Sequence, residues 1–239
     1  MLQLEDVSVS FGGIHALSNV TFGVDDASIV GLVGPNGAGK TTLFDAISGL
    51  VRLTKGEIRF NGRSLTNLAP RHRVRAGVGR SFQVPRPLRE LTVRENLMVA
   101  QHFGGGSDDE ATIDKLLVFL ELNNRQHAMA ATDLSLTQRK MLEIGKALAT
   151  RPKLLMLDEV FAGLETAGKR SFSDLILRLA QEWKLSVVMI EHDIETISRL
   201  CQRVIVLDFG RLIADGTPET VFEDPAVVRS YTGAGTEDA

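Results

Sequence analysis

Apolar and polar positions alternate at the start of the chain. Leu2, Leu4, Val7, Val9 and Phe11 share one face, and Val20, Phe22 and Val24 resume the pattern after Gly12-Gly13. A period of two predicts half-buried antiparallel strands. Residues 57–60 form a second such piece, ending at Asn61-Gly62, the dipeptide that best tolerates a tight hairpin turn. Between these pieces the texture changes. Residues 28–33 run apolar without a break, as a strand covered on both faces does. Three more such runs come late, at 154–157, 186–190 and 204–207, with helical stretches at 167–182 and 194–201 between them. Buried strands alternating with helices predict a mostly parallel sheet with helices on both sides.

The middle of the chain differs from both ends. Residues 92–150 hold no strand pattern. Thr92 and Glu95 form a capping-box start for a helix through Gln101, and Gly104-Gly105-Gly106-Ser107 reads as a flexible break. Helices are expected over 111–122 and 138–149. The expected fold class is α/β: a mostly parallel sheet core, an N-terminal antiparallel β subdomain and an inserted helical subdomain. One domain is expected over 1–239, with 1–83 and 151–239 forming the core and antiparallel part and 84–150 the helical insertion.

Composition narrows the class. A chain of 239 residues suits one large domain, and 44% hydrophobic with 24% charged residues is ordinary globular usage. No run approaches the roughly 18–20 apolar residues of a membrane-spanning helix. The first five residues lack the basic-then-apolar pattern of a secretion signal. The single cysteine, Cys201, cannot form an internal disulfide, which fits a reducing cytoplasm. A net charge of −3 argues against a general nucleic-acid binder. The basic cluster Arg71, His72, Arg73, Arg75 and Arg80 is expected to be a solvated helix face.

Gly34-Pro35-Asn36-Gly37-Ala38-Gly39-Lys40-Thr41-Thr42 follows the first buried strand and precedes a predicted helix. It matches the phosphate-loop pattern G-x-x-x-x-G-K-[ST]. Glycines let the backbone curl so that successive N–H groups converge on phosphate oxygens. The helix N-terminus adds unsatisfied donors and the positive end of its dipole. Lys40 supplies a cation for the β- and γ-phosphates, and the Thr41 hydroxyl can ligate Mg²⁺. A nucleotide and Mg²⁺ are therefore the expected ligands, on a RecA-like phosphate-loop core. The run Leu154-Leu155-Met156-Leu157-Asp158-Glu159 is an apolar strand ending in two acids, at the sheet edge where ligands of open α/β folds sit. Asp158 is expected to hold Mg²⁺, and Glu159 to polarise the attacking water as general base.

Taken together, these motifs resemble the ATP-binding cassette family, the ATPases of ABC transporters, over essentially the whole chain. The resemblance implies that Phe11 stacks on adenine, although the residue could equally be a core strand position. Gln83, in Gly79-Arg80-Ser81-Phe82-Gln83, matches the glutamine that touches the metal and senses the membrane partner. His192, after Val187-Val188-Met189-Ile190-Glu191, matches the switch histidine of the γ-phosphate. The family signature Leu-Ser-Gly-Gly-Gln caps a nucleotide held by the opposite subunit, which would make Ser135 a nucleotide contact. Here it reads Leu134-Ser135-Leu136-Thr137-Gln138, with neither glycine, and its Ser-x-x-Gln is also a plain capping box. A β-branched Thr137 would resist a positive φ. Val160 stands where the family usually has proline, and Glu165 where it has Asp or Asn.

The stretch 78–97 with Gln101-His102, the Phe11-Gly12-Gly13 opening and the ending Tyr231-Thr232-Gly233 resemble ATP-binding subunits of branched-chain amino acid importers. That resemblance implies a second ABC ATPase subunit of a different chain, transmembrane permease subunits and, indirectly, an external substrate-binding protein. It implies no nucleic acid, and a cytoplasmic place on the inner face of the cell membrane. A permease helix is expected to dock in an apolar groove between Gln83 and Leu97. Two alternatives remain open, a lipid-export ABC ATPase and a non-hydrolysing regulatory module. Glu159 and His192 speak against the second, since a pure binder needs neither.

Overall fold

The computed structural model describes residues 1–232; the predicted ending at Gly233 lies outside them. In chain order, β1 (Leu2–Phe11), β2 (Ile14–Val24) and β3 (Ile29–Val33) lead to α1 (Lys40–Ser48). Next come β4 (Lys55–Phe60), β5 (Arg63–Ser64), α2 (Pro70–Ala76), β6 (Val78–Arg80), α3 (Val93–Ala100) and α4 (Glu110–Phe119). Then follow α5 (Leu136–Ala149), β7 (Leu154–Asp158), α6 (Thr166–Glu182), β8 (Ser186–Ile190) and α7 (Ile194–Leu200). The described chain closes with β9 (Arg203–Asp208), β10 (Arg211–Gly216), α8 (Pro218–Phe222) and α9 (Pro225–Thr232). Two compact units divide it, one of Met1–Pro70 with the chain from Ser186 onward, the other of Arg71–Leu185.

The first unit contains an antiparallel sheet of order β2-β1-β4-β5. Leu2 faces Val24 and Phe60, and Leu4 faces Phe22 and Ile58. The apolar face of β1 changes parity between Leu4 and Val7, and a register shift at that point, with Asp6 at φ 50°, brings both halves to the core. One extra residue re-aims the strand. Asn61 and Gly62 take φ 49° and 75°, the double positive φ of a tight hairpin turn joining β4 and β5.

The same unit holds β3 between parallel neighbours, with Gly31 opposite Met189 of β8 and Val204 of β9. Every residue of β3 is buried, in keeping with its unbroken apolar run. A side chain at Gly31 would meet Ile197 Cδ1 at 3.1 Å and Cys201 Sγ at 3.3 Å, so the glycine lets α7 lie close to β3. Cys201 is buried there, and desolvation first, the Glu191 carboxylate second, push its thiol up to about 12. The β9–β10 turn carries Phe209 at φ 40°, 84% exposed, and Gly210 at φ 73°.

In the second unit β6 runs parallel to β7, with Val78 opposite Leu154 and Arg80 opposite Met156. The helices begin where local chemistry says they should. Thr92 accepts from the Glu95 N–H and Glu95 answers on the Thr92 N–H, closing the expected capping box of α3. The glycine run departs from expectation, because α3 continues through one π-helical turn, Gln101–Gly105, and stops at Gly106 with φ 68°. Gly104 and Gly105 lie within contact of Thr150 and permit that continuation. Among the described residues, no named strand lies between α3 and α5.

The basic cluster is not one solvated face. Arg71, His72 and Arg75 are exposed on α2, but Arg73 is only 2% exposed, and burial lowers the pKa of its guanidinium. Arg80 lies on β6, with its side chain turned to Asp158 rather than to water.

Candidate functional site

In the first unit the phosphate-loop motif forms the turn between β3 and α1. Gly34, Gly37 and Gly39 take φ 146°, 83° and 100°, three turns into a region that side chains resist, and the backbone curls as the motif predicts. Helix α1 is capped by Gly39 with no side-chain hydrogen bond, and no acid occupies its first turn. No acid or capping side chain of the helix itself therefore competes with an anion at that end. Lys40 is buried, and its ammonium donates to the Gly34 and Pro35 carbonyls at 2.7 and 2.9 Å. Two carbonyls of the loop's own backbone thus fix where the cation stands. Asn36, Gly37 and Thr41 are exposed, Ala38 is buried and Thr42 is half-buried.

The loop is braced from behind by backbone. The Gly210 N–H donates to the Ala38 carbonyl at 3.0 Å, and the Ser18 N–H to the Gly210 carbonyl at 2.8 Å. A Cβ on Gly39 would stand 2.6 Å from the Ala16 carbonyl oxygen, and one on Gly34 only 2.1 Å from that of Leu207. Gly34→Ala is therefore expected to cost roughly 3 kcal/mol through positive-φ strain and backbone overlap. A urea-unfolding midpoint reads that loss, and an unchanged midpoint would refute it. Tyr231 of α9 also reaches the loop: burial raises the pKa of its phenol, while the Gly34 backbone amide pulls it back.

Phe11 ends β1 half-exposed, at 50%, so it is not a core residue. His192 sits exposed just past the end of β8.

The second unit brings together Gln83, Asp158 and Glu159. Asp158 is the buried last residue of β7, and Arg80 Nη2 lies 3.1 Å from its Oδ2. Glu159 follows at φ 46°, and Gln83 Nε2 donates to Glu159 Oε2. A non-glycine residue held at positive φ with its carboxylate engaged by a neighbouring side chain marks a place where position outweighs backbone comfort. Lys140, 5% exposed on α5, explains how the position is kept. Its ammonium donates to the carbonyls of Val160 at 2.8 Å, Ala162 at 2.6 Å and Glu159 at 3.4 Å, fastening the chain just after the acids. Sequence reasoning missed both Arg80 and Lys140.

Ser135 caps α5 and closes a full capping box with Gln138. Thr137 lies inside that helix with ordinary helical φ, so no backbone strain arises from its β-branch. Leu136 is 44% exposed at the helix start, near Gly163. Val160 is buried, and Glu165 caps α6 without a side-chain hydrogen bond. The segment after Gln83 exposes Val84 and Leu88 and is anchored by buried Asn96, which donates to the Leu88 and Leu91 carbonyls.

In the first unit the Thr41 hydroxyl, and in the second the Gln83 amide oxygen and the Asp158 carboxylate, are each hard oxygen donors, the chemistry that suits Mg²⁺. Among the described residues no group of three His, Cys, Asp or Glu side chains could hold a metal by itself. Among the described residues, no helix is long and apolar enough to cross a membrane.

The family model described as "ABC transporter" matches residues 17–162, and that of the "Branched-chain amino acid ATP-binding cassette transporter" matches residues 211–237. The chain is 35% identical over 250 residues to the high-affinity branched-chain amino acid transport ATP-binding protein BraF of Pseudomonas aeruginosa, covering 98% of each chain. It is 35% identical over 253 residues to the corresponding protein LivG of Escherichia coli, again covering 98% of each. Among solved structures, an ATP-binding cassette of an ABC transporter in its ADP conformation superposes with TM-score 0.89 at 31% identity, over 98% of each chain. A dimeric cassette bound to ADP and Pi in a post-hydrolysis state gives TM-score 0.80 at 25% identity, over 91% of this chain and 99% of that one.

Proposed function

The chain belongs to the ABC transporter family, and from that membership we propose that it is the ATP-hydrolysing subunit of an importer of branched-chain or related amino acids. The observation that carries the cargo class is the similarity to BraF and LivG over nearly the full length of each chain.

On this reading the amides of residues 34–42 and the Lys40 ammonium hold the β- and γ-phosphates, and Phe11 stacks on adenine. Thr41, Gln83 and Asp158 supply the protein's oxygens to Mg²⁺, which when bound offsets charge on the β- and γ-phosphates. Glu159 takes a proton from the attacking water, and His192 contacts the γ-phosphate. Ser135 addresses a nucleotide held by a second cassette. That second cassette is a different chain, because Leu136 and Thr137 replace the signature glycines here and a partner's intact signature would complete this chain's phosphate loop. Permease subunits dock on the exposed segment around Val84 and Leu88, which places the protein on the inner face of the membrane.

The test is reconstitution with the permease and second cassette in lipid vesicles. ATP hydrolysis is expected to rise when a substrate-binding protein loaded with a branched-chain amino acid is added, while the isolated chain turns over slowly. Stimulation by no branched-chain or related amino acid would reject the cargo. Brisk hydrolysis by the isolated chain would reject the need for a different partner.

A further inference from the structure

Arg80 has no place in the roles described above, yet it is among the most closely held charges of its unit. Its side chain is 8% exposed, that of Asp158 10%, and they meet at 3.1 Å. The arginine is fixed at both ends. Its backbone lies in the β6–β7 ladder opposite Met156, which the Ser81 N–H extends by donating to the Met156 carbonyl at 2.9 Å. Its guanidinium lies 5.1 Å from the centre of the Phe82 ring. A carboxylate so far from water is tolerated only with an opposite charge beside it. A cation beside a metal-binding carboxylate also weakens the pull on a second cation.

We propose that Arg80 is the standing counter-ion of Asp158, a positioning residue that balances the carboxylate through Oδ2 and keeps this acid from collecting a divalent cation on its own, so that metal enters with the nucleotide's phosphates. This role rests on the reading of Asp158 as a magnesium ligand. The chemistry of the side chain supports it, since a carboxylate is a hard oxygen donor of the kind Mg²⁺ takes.

Mn²⁺ is the probe, because the spectrum of its free aqua ion in electron paramagnetic resonance fades on binding. The full chain is titrated with MnCl₂, first without nucleotide and then with ATP, and uptake is counted as the fading beyond that of a protein-free sample holding the same ATP. Wild type is expected to take up Mn²⁺ well only with ATP. Arg80→Met should bind bare Mn²⁺ roughly tenfold more tightly than wild type. Adding Asp158→Asn to that variant should remove the gain, and Arg80→Lys, which keeps the charge, should stay within about threefold of wild type. A folded Arg80→Met protein with no gain overturns the proposal, as does an Arg80→Lys protein that behaves like it. Wild type that binds Mn²⁺ equally well with and without ATP overturns it without any variant. The underlying reading fails separately, if Asp158→Asn alone leaves Mn²⁺ uptake with ATP unchanged.

Discussion

Replacing Lys40 with alanine is expected to remove measurable ATP binding. The ammonium is buried, and it donates to two carbonyls of its own loop, which hold it over the curl. A charge-assisted hydrogen bond to phosphate is worth about 1.5–3 kcal/mol, and two of them lost to the β- and γ-oxygens make roughly a hundredfold or more in Kd. Gly34 and Pro35 lose a donor as well, which loosens the loop that presents the amides. Calorimetry with Mg-ATP reads the affinity, and a thermal melt separates lost binding from lost fold. Unchanged affinity in a folded Lys40→Ala protein would remove the phosphate-loop assignment.

Glu159→Gln is expected to do the opposite, leaving binding intact while turnover falls by about 10²- to 10⁴-fold, the usual worth of a positioned general base. The amide has the shape of the carboxylate but cannot accept water's proton. What makes the site sensitive is its setting. Glu159 is held at φ 46°, its carbonyl and those of Val160 and Ala162 are gripped by Lys140, and its carboxylate receives Gln83. Phosphate release under steady state and nucleotide binding by filter retention separate the two effects. Normal hydrolysis by this variant would mean that another group takes the proton.

The parts legible in the sequence are those whose causes are local. Three glycines and a lysine within seven residues specify the phosphate loop, because each curl needs a positive φ at its own position. Thr92 with Glu95, Ser135 with Gln138, and Asn61-Gly62 announce their helix starts and hairpin for the same reason. The causes that failed to show are distant ones. Arg80 stands in a run of arginines that reads as a wet surface, and its partner lies 78 residues further on. Lys140 looks like one more helix cation, yet its carbonyl partners follow 19 to 22 residues later. Strand β6 is only three residues with a glycine in the middle, too short for any period to register. Strand β10 has no clean alternation because most of its residues are half-buried. The glycine run after Gln101 reads as a break, yet helix geometry absorbs two of its three glycines.

Burial of Cys201 has a practical consequence for following the motions of such a subunit. A thiol shifted to about 12 is almost never a thiolate at neutral pH, and the anion is the species that maleimides and methanethiosulfonates attack. The native chain therefore serves as its own silent background. One cysteine engineered at Phe209 and another at Val84, both well exposed, would take up spin labels or dyes while Cys201 stays dark.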